Sequence, residues 1–287
     1  MSQPTDAPRP ASFNCLWCGR PHQPRTASDL ELFAQLCPDC VGRAQDNEFL
    51  RYRLREGLQA RAAAERSDIV DDTAAMKAYY SARAPEYDAY YAGASLEPLQ
   101  RAVFQADLDA ATLWLDSLPW RGEIVELAAG TGWWSPLIAQ KGELSIYDIS
   151  EHVLERARDR LLAHGLRAHI HVRDAWTEPD RAVDGLFIGL WLSHVRPERL
   201  AEFLGLVRRW LKPGGLFAFI DEAPGLDYTP TEDGLQPRQL ADGRRFAVPK
   251  AYHAPEDLAE GLRRVGCVEV DVSATSRHFV LGRAVAG

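Results

Sequence analysis

The stretch VELAAGTGWWS, from Val125 to Ser135, joins a strand-like apolar run to a tight loop that contains Gly130 and Gly132. A strand followed by such a loop is typical of a nucleotide-binding βα unit. The dinucleotide motif G-x-G-x-x-G is broken here, because Ser135 or Ala128 occupies a glycine position in either possible register. The phosphate-binding motif G-x-x-x-x-G-K-[ST] is also absent. The loop therefore predicts a nucleotide-type ligand without a pyrophosphate.

Strand and helix patterns alternate from Gly122 onward, which favours an α/β fold with a mostly parallel sheet and helices on both faces. The last two strands are close together along the chain, so we expect them to form an antiparallel hairpin. The predicted strands lie near 124–128, 143–148, 168–172, 183–190, 215–221, 267–274 and 277–284. The predicted helices lie near 97–117, 135–141, 150–164, 197–211 and 255–265.

Acidic residues accompany the first three predicted strands. Glu126 lies within the first strand, Asp148 ends the second and Asp174 follows the third. Ligands of open parallel sheets bind outside the carboxyl ends of the strands, so these carboxylates would border the ligand site. They would repel a pyrophosphate, and they suit a cationic ligand that carries a ribose.

These motifs together resemble the class I S-adenosylmethionine-dependent methyltransferases of the small-molecule type. The resemblance covers 76–284 and keeps the family's order and spacing. Its motifs are YYSARAPEYD, VELAAGTG, YDIS, RDAW, VDGLFIGLWLSHV and LKPGGLFAFID. It implies a Rossmann-like seven-stranded sheet, with six parallel strands and one antiparallel strand, beneath a helical lid. It also implies S-adenosyl-L-methionine as the methyl donor.

The resemblance further implies residues that bind the donor. Asp148 would bind both ribose hydroxyls, Glu126 would orient the methionine end, and Ile149 would pack on the adenine. Ala128 replaces the family's usual glycine, which we expect the loop to tolerate if φ stays negative there. The implied cofactor-binding set is Tyr80, Arg83, Tyr87, Glu126, Ala128, Gly130, Asp148, Ile149, Asp174, Ala175, Trp176 and Leu190.

Structural interpretations of the same residues stay open. Asp148 could be an acid at the start of a helix, and Asp174 could be a turn residue. Tyr80, Arg83 and Tyr87 could lie on an ordinary amphipathic surface. Trp133 and Trp134 fit a pocket wall or a core better than direct ligand contacts.

A catalytic base is expected next to the transferred methyl group. His194 follows the fourth strand and is our candidate for that base, although a hydrogen-bonded structural histidine would fit the same position. Asp221 and Glu222 follow the fifth strand, either at the pocket mouth or as plain loop acids. The resemblance predicts methyl transfer to an oxygen or nitrogen of a small-molecule acceptor.

The region 223–255 is expected to cover the acceptor pocket, as insertions at this place often do in the superfamily. Its cations would meet an acidic substrate, or they would simply be solvated. They are Arg244, Arg245 and Lys250.

Four cysteines near the N-terminus form two Cys-x₂-Cys pairs, at Cys15/Cys18 and Cys37/Cys40. This spacing predicts a structural zinc ribbon, whereas disulfides would compete in an oxidising compartment. His22 is a possible replacement ligand. We therefore predict a flexible tail over 1–12, a zinc ribbon plus helix over 13–66, and the methyltransferase domain with its lid helices over 67–287.

Charge and composition limit the function further. The chain of 287 residues has a formal net charge of −8, and its first 66 residues are nearly neutral. Nucleic acid is therefore an unlikely partner, although a zinc-ribbon rRNA methyltransferase stays the alternative, with a non-catalytic donor-binding protein behind it. No apolar run is long enough for a membrane span, and we expect a cytoplasmic protein that could dimerise through its N-terminal module.

Overall fold

The computed structural model describes residues 13–14, 20–22, 74–223 and 234–287. The chain divides into two compact units, Met1–Asp71 and Asp72–Gly287. In the first unit, β1 (Phe13–Asn14) pairs antiparallel with β2 (Pro21–His22). The predicted tail 1–12, the helix patterns before residue 74 and the four predicted zinc ligands lie outside the described residues. Those ligands are Cys15, Cys18, Cys37 and Cys40.

The second unit is built on a seven-stranded sheet with the order β10-β11-β7-β6-β3-β4-β5. Strand β11 runs antiparallel to both of its neighbours, and the other strand pairs are parallel. The predicted sheet of six parallel strands and one antiparallel strand is confirmed. The strands are β3 (Glu123–Leu127), β4 (Glu143–Asp148), β5 (His169–Val172), β6 (Val183–Gly189), β7 (Leu211–Glu222), β8 (Leu235–Gln239), β9 (Arg245–Pro249), β10 (Cys267–Ala274) and β11 (Phe279–Ala286).

Helices cover both faces of this sheet, close to the predicted positions. They are α1 (74–83), α2 (Pro98–Ser117), α3 (Ser135–Ala139), α4 (Glu151–Ala163), α5 (Leu200–Trp210) and α6 (Pro255–Arg264). Strand β7 begins earlier than the predicted residue 215. Helix α5 ends at Trp210, and residues 212–215 lie within β7 as an irregularity in its pairing with Val183 and Gly185 of β6.

Alternating side chains of the central strands divide the core between the two faces. Val125 and Leu127 of β3 pack on one face with Phe203 and Trp210 of α5. Ile124 of β3 packs on the other face, with residues of α2, α3 and α4. Because successive side chains of a strand point to opposite faces, Glu126 lies on the same face as Ile124.

The chain changes direction across the sheet at β3. It continues from β3 to β4 and β5 on one side, and then returns to β6 and β7 on the other. Such a switch point opens a crevice at the carboxyl ends of the strands. The loop after β3, the end of β4 and the segments after β6 and β7 therefore meet at one edge.

A small hairpin occupies part of the region predicted to cover the acceptor pocket. Strands β8 and β9 pair antiparallel, with Gln236 opposite Val248 and Arg238 opposite Phe246. Phe246 and Val248 contribute to a third cluster of apolar side chains that includes Met76 and Tyr79 of α1. The hairpin is thus packed on α1.

Among the helices in the described part of the chain, none has the length and apolar character needed to cross a membrane.

Candidate functional site

Asp148 joins the end of β4 to the two segments beside it. Its Oδ2 accepts a hydrogen bond from the Gly130 amide at 3.0 Å, and its Oδ1 accepts one from the Ser150 amide at 2.9 Å. Burial raises the pKa of Asp148 to about 6, although these hydrogen bonds oppose the increase. The carboxylate thus holds the glycine loop and the start of α4 at one point, so the helix-start interpretation and a ligand role are compatible.

Glu126 lies deeper under the same loop and is 2% exposed. Its Oε2 accepts a hydrogen bond from the hydroxyl of Ser135 at 2.5 Å. Burial raises the pKa of Glu126 to about 8, so its side chain is mainly protonated at pH 7. A buried acid in this state responds to any cation placed next to it, because a positive charge favours its ionised form.

The loop after β3 runs in the left-handed region. Ala128 has φ 52°, and Gly130 and Gly132 have φ 56° and 71°. The condition under which we expected the loop to tolerate an alanine, a negative φ, is therefore not met at Ala128. The amide of Ala129 donates to the carbonyl of Tyr147 at 3.0 Å, so the strand pairing fixes the chain just after this residue. Ala128 carries a strain of about 1–2 kcal/mol that a glycine would avoid.

Gly130 faces the segment that follows α1. A Cβ placed on Gly130 would meet the ring of Tyr87, at 3.6 Å. Arg83 lies over the same ring, with its guanidinium carbon 4.9 Å from the ring centroid. Arg83 and Tyr87 are half-buried, so an ordinary exposed helix surface does not describe them.

Two sets of polar contacts fasten this segment to the glycine-loop side of the crevice, at Thr131 and at α4. Asp88 accepts hydrogen bonds from the Thr131 hydroxyl at 2.7 Å and from Arg160 Nη2 at 2.5 Å. The hydroxyl groups of Ser81 and Ser150 lie 2.8 Å apart and share a hydrogen bond. Helix α1 and the turn after it are therefore tied to the glycine loop and to α4.

The residues predicted to lie near the adenine make separate contacts in the structure. Asp174 Oδ1 accepts a hydrogen bond from the Trp176 amide at 2.8 Å, which is the geometry of a turn. The Trp176 ring packs against Phe203 of α5, 4.9 Å between centroids. The half-buried Ile149 directly follows Asp148 at the crevice edge, whereas the buried Ala175 packs in the core.

Leu190 and the two tryptophans after the glycine loop, Trp133 and Trp134, differ in their contacts. Leu190 has φ 55°, and its amide donates to the carbonyl of Ile220 at 2.7 Å, directly after β6. Trp134 is buried in the core on the α2 side. The Trp133 ring stacks on the Tyr91 ring, with 4.1 Å between centroids, and packs partly buried against the same core, so both tryptophans have packing roles.

His194 has both ring nitrogens engaged. Nε2 lies 2.7 Å from the hydroxyl of Tyr80, and Nδ1 lies 2.6 Å from the carbonyl oxygen of Pro249. Since that carbonyl can only accept, Nδ1 carries the hydrogen and Tyr80 donates to Nε2. Burial and the charge of Lys250 lower the pKa of His194 to about 3. The imidazole is therefore neutral, far from its ordinary titration near neutral pH.

An ion pair lies at the end of β7, on the β6–β7 side of the crevice. Lys250 Nζ is 2.6 Å from Glu222 Oε2 and 2.7 Å from the hydroxyl of Ser193. Burial would raise the pKa of Glu222, but Lys250 lowers it to about 2. Lys250 is 4% exposed, so it is not a solvated cation. Asp221 accepts from the Ser193 amide at 3.1 Å, and both acids belong to β7 rather than to a loop.

Arg238 is a residue of this side that the sequence did not single out. It lies on the hairpin face of Val248 and Phe246, and the Phe246 ring is 5.4 Å from Tyr79 of α1. The two arginines that the sequence did single out are elsewhere: Arg244 is exposed and pairs with Asp242 at 2.7 Å, and Arg245 is exposed. The alternation of side-chain faces along a strand could have singled out Arg238, but Pro237 in the middle of β8 argues against a strand when only the sequence is read.

Comparisons with known proteins agree with this geometry. A family model described as a methyltransferase domain matches residues 124–215. The C-methyltransferase UbiE of ubiquinone and menaquinone biosynthesis from Azotobacter vinelandii is 33% identical over 100 residues, 32% of this chain and 39% of the relative. A dimethylglycine N-methyltransferase from Parasynechococcus marenigrum is 34% identical over 145 residues, 48% of this chain and 51% of the relative. The chain thus spans about half or less of the curated relatives it matches.

Solved structures extend the likeness beyond the central motifs. DhpI, solved with SAH and also with SAM and HEP, is 28% identical and superposes with a TM-score of 0.62. The match covers 74% of this chain and 96% of DhpI. The family match over residues 124–215, the relatives named methyltransferases and the SAM- and SAH-bound DhpI structures support an S-adenosylmethionine-dependent methyltransferase. Within the described residues, no group of three or more His, Cys, Asp or Glu could hold a metal ion.

The strain at Ala128 gives a stability prediction. Ala128→Gly removes a strain of about 1–2 kcal/mol and adds about 0.5–1 kcal/mol of unfolded-chain entropy, so the free energy of unfolding should stay level or rise. Ala110→Gly, on the exposed side of α2, should instead lose about 1 kcal/mol. Urea unfolding of both variants measures the difference. An equal loss in the two variants would contradict the strain.

The raised pKa of Glu126 predicts how stability changes with pH. Between its ordinary value of 4.5 and about 8, the folded state holds a proton that the unfolded state releases. The stability gained from Glu126 is therefore complete below about pH 4.5 and lost as pH rises through 8. Glu126→Gln should weaken this decline in the ligand-free protein, whereas Glu155→Gln on the exposed side of α4 should not. Identical profiles for wild type and Glu126→Gln would refute the assignment.

Proposed function

Taking this methyltransferase domain as the premise, we propose that the protein transfers a methyl group from S-adenosyl-L-methionine to an oxygen or nitrogen of a small-molecule acceptor. The observation that carries the proposal is the hydrogen bond from Tyr80 to His194, next to the Lys250–Glu222 ion pair. It supports a polar acceptor site at the ends of β6 and β7, beside the crevice at the glycine loop. A polar lining of this kind suits an acceptor that carries an exchangeable proton better than it suits an apolar carbon.

Residues of the donor side fit the cofactor. When bound, S-adenosyl-L-methionine supplies the methyl group as part of a sulfonium cation. In our proposal Asp148 accepts hydrogen bonds from the ribose hydroxyls, and Glu126 lies toward the ammonium group of the methionine end. Gly130 lets the ligand approach the loop closely because it has no side chain. Arg83 and Tyr87 are proposed to bind the methionine carboxylate, because Arg83 has a guanidinium without a hydrogen bond or ion pair among the described residues.

Tyr80 and His194 are proposed to take up the proton that the acceptor loses. Burial raises the pKa of Tyr80 and lowers that of His194, so the pair stays neutral before the reaction. In our proposal the acceptor would give its proton to the Tyr80 oxygen, and Tyr80 would pass its own proton to Nε2 of His194 in the same step. The imidazolium of His194 would then carry the positive charge that the donor loses as the bond between its sulfur and the methyl carbon breaks. The chain otherwise contributes alignment in a site shielded from water.

The names of the relatives support a small acceptor, but they differ in the atom of the acceptor that is methylated. Their names describe a carbon acceptor for UbiE and dimethylglycine nitrogen for the second relative, and DhpI is solved with HEP beside SAM. The acidic charge of the chain supports a small molecule over RNA.

A labelled-donor experiment tests the proposed function. The full chain, incubated with donor carrying a tritiated methyl group, should label a compound in a small-molecule extract and leave rRNA unlabelled. Asp148→Ala should weaken donor binding by about tenfold or more in calorimetry, because ribose hydroxyls lose a buried acceptor. Asp159→Ala, on the exposed side of α4, is the matched control and should bind normally.

Two results would count against the proposal. Labelled RNA with unlabelled small molecules would transfer the activity to the rRNA class. Unchanged donor affinity in Asp148→Ala would remove the cofactor assignment.

We also propose one structural Zn²⁺ on Cys15, Cys18, Cys37 and Cys40. The support is their spacing, together with the pairing of Asn14 with Pro21, which are described residues on either side of Cys15 and Cys18 in the sequence. Elemental analysis should find about one zinc per chain in wild type, and Cys15→Ala should lower that content. Cys267→Ala, which removes the buried cysteine of β10, should keep the zinc. A wild-type protein without zinc would contradict this proposal.

A further inference from the structure

We propose that the methyl acceptor carries an oxyanion, either a carboxylate or a phosphoryl group, and that Arg238 of the β8–β9 hairpin binds it. This inference rests on the proposed function, because it names the substrate class of the same site. It assigns to Arg238 the recognition of the acceptor rather than a part in the chemistry.

The first argument is the state of the Arg238 side chain. Arg238 is half-buried, and among the described residues it makes neither a hydrogen bond nor an ion pair. Removing a cation from water without a partner is unfavourable, so such a group is expected to have a ligand. A guanidinium presents its donors as a planar fork that matches two oxygens of a carboxylate or phosphoryl group.

The second argument is the face of the hairpin on which the Arg238 side chain lies. Residues that are opposite each other in antiparallel strands share one face, so Arg238 lies on the same face as Phe246. Phe246 packs against Tyr79, and the neighbouring Val248 of that face is fully buried. Arg238 therefore faces α1, the helix that supplies Tyr80 to the acceptor site.

The third argument is the electrostatic setting. Burial lowers the pKa of His194, and the charges of Lys250 and Arg238 lower it further. Arg238 is thus close enough to the Tyr80–His194 pair for its charge to act there. An acceptor bound through its anion would reach this pair with its hydroxyl or amine end.

The other cations of the hairpin and of the residue directly after it are paired or exposed, and Arg83 of α1 is proposed to bind the methionine carboxylate. Lys250 is paired with Glu222, and Arg244 is paired with Asp242. Arg245 is exposed, and its partner across the hairpin is the exposed Gln239. Arg238 is therefore the hairpin cation that has both the position and the free donors for an acceptor.

A direct anion titration tests the inference. The full chain, saturated with S-adenosylhomocysteine, is titrated with inorganic phosphate and, separately, with acetate. We expect one of the two anions to bind, and Arg238→Gln to weaken that binding by about tenfold or more. Arg245→Gln is the matched control, since it removes the same charge from the exposed side of the hairpin and should leave the affinity unchanged. Binding of phosphate indicates a phosphoryl acceptor, and binding of acetate indicates a carboxylate.

Other outcomes overturn it. If neither anion binds up to tens of millimolar, or if Arg238→Gln binds as wild type does, the oxyanion site is refuted. Normal affinity for S-adenosylhomocysteine in Arg238→Gln shows that the variant is folded and that its donor side is intact.

A turnover assay separates this inference from the proposed function. Matched acceptor pairs, such as dimethylglycine and its amide or ethanolamine phosphate and ethanolamine, are offered with labelled donor. Labelling of neutral members as readily as charged ones would refute the oxyanion but keep the methyltransferase. Arg238-dependent anion binding without any labelled small molecule, in the pairs or in an extract, would keep the oxyanion site and refute the proposed function.

Discussion

The two hydrogen bonds that Asp148 accepts set the geometry on which the crevice depends. One fixes the amide of Gly130 in the loop after β3, and the other fixes the amide of Ser150 at the start of α4. Ser150 in turn shares a hydrogen bond with Ser81 of α1. A single buried carboxylate therefore sets the relative positions of the loop, the helix and the lid segment. Its raised pKa reflects the free energy that burial of this charge costs.

The proposed acceptor side, at the ends of β6 and β7, is organised by charge compensation. Lys250 neutralises Glu222 in a partly buried pair, which leaves Tyr80 and His194 as a neutral, directional pair beside it. The hairpin adds the guanidinium of Arg238, which has no hydrogen bond or ion pair among the described residues. In our proposal this unpaired cation, next to a paired lysine and glutamate, gives the acceptor site its preference for an anion.

The sequence predicted the sheet, its order of elements along the chain and the acids Glu126 and Asp148 next to the glycine loop, because periodic apolar strands and strand-end motifs are local signals. Ala128 illustrates the limit of such local signals. The sequence shows that an alanine replaces a glycine there, but the positive φ of Ala128 is set in the fold, where the amide of the next residue, Ala129, donates to the carbonyl of Tyr147. Arg238 was missed for a related reason, since its role depends on a hairpin packed against α1, far away in sequence. The neutral state of His194 likewise depends on Pro249 and Lys250, which only the fold brings near.

Helix α1 and the turn after it touch both halves of the crevice. They contact the glycine loop through Tyr87 and Asp88, and they contact the acceptor side through Tyr80. If spent donor leaves by displacing this segment, the acceptor loses one of its walls in the same event. A molecule that needs several methyl groups would then be released and recaptured between transfers, so partly methylated intermediates would accumulate in solution.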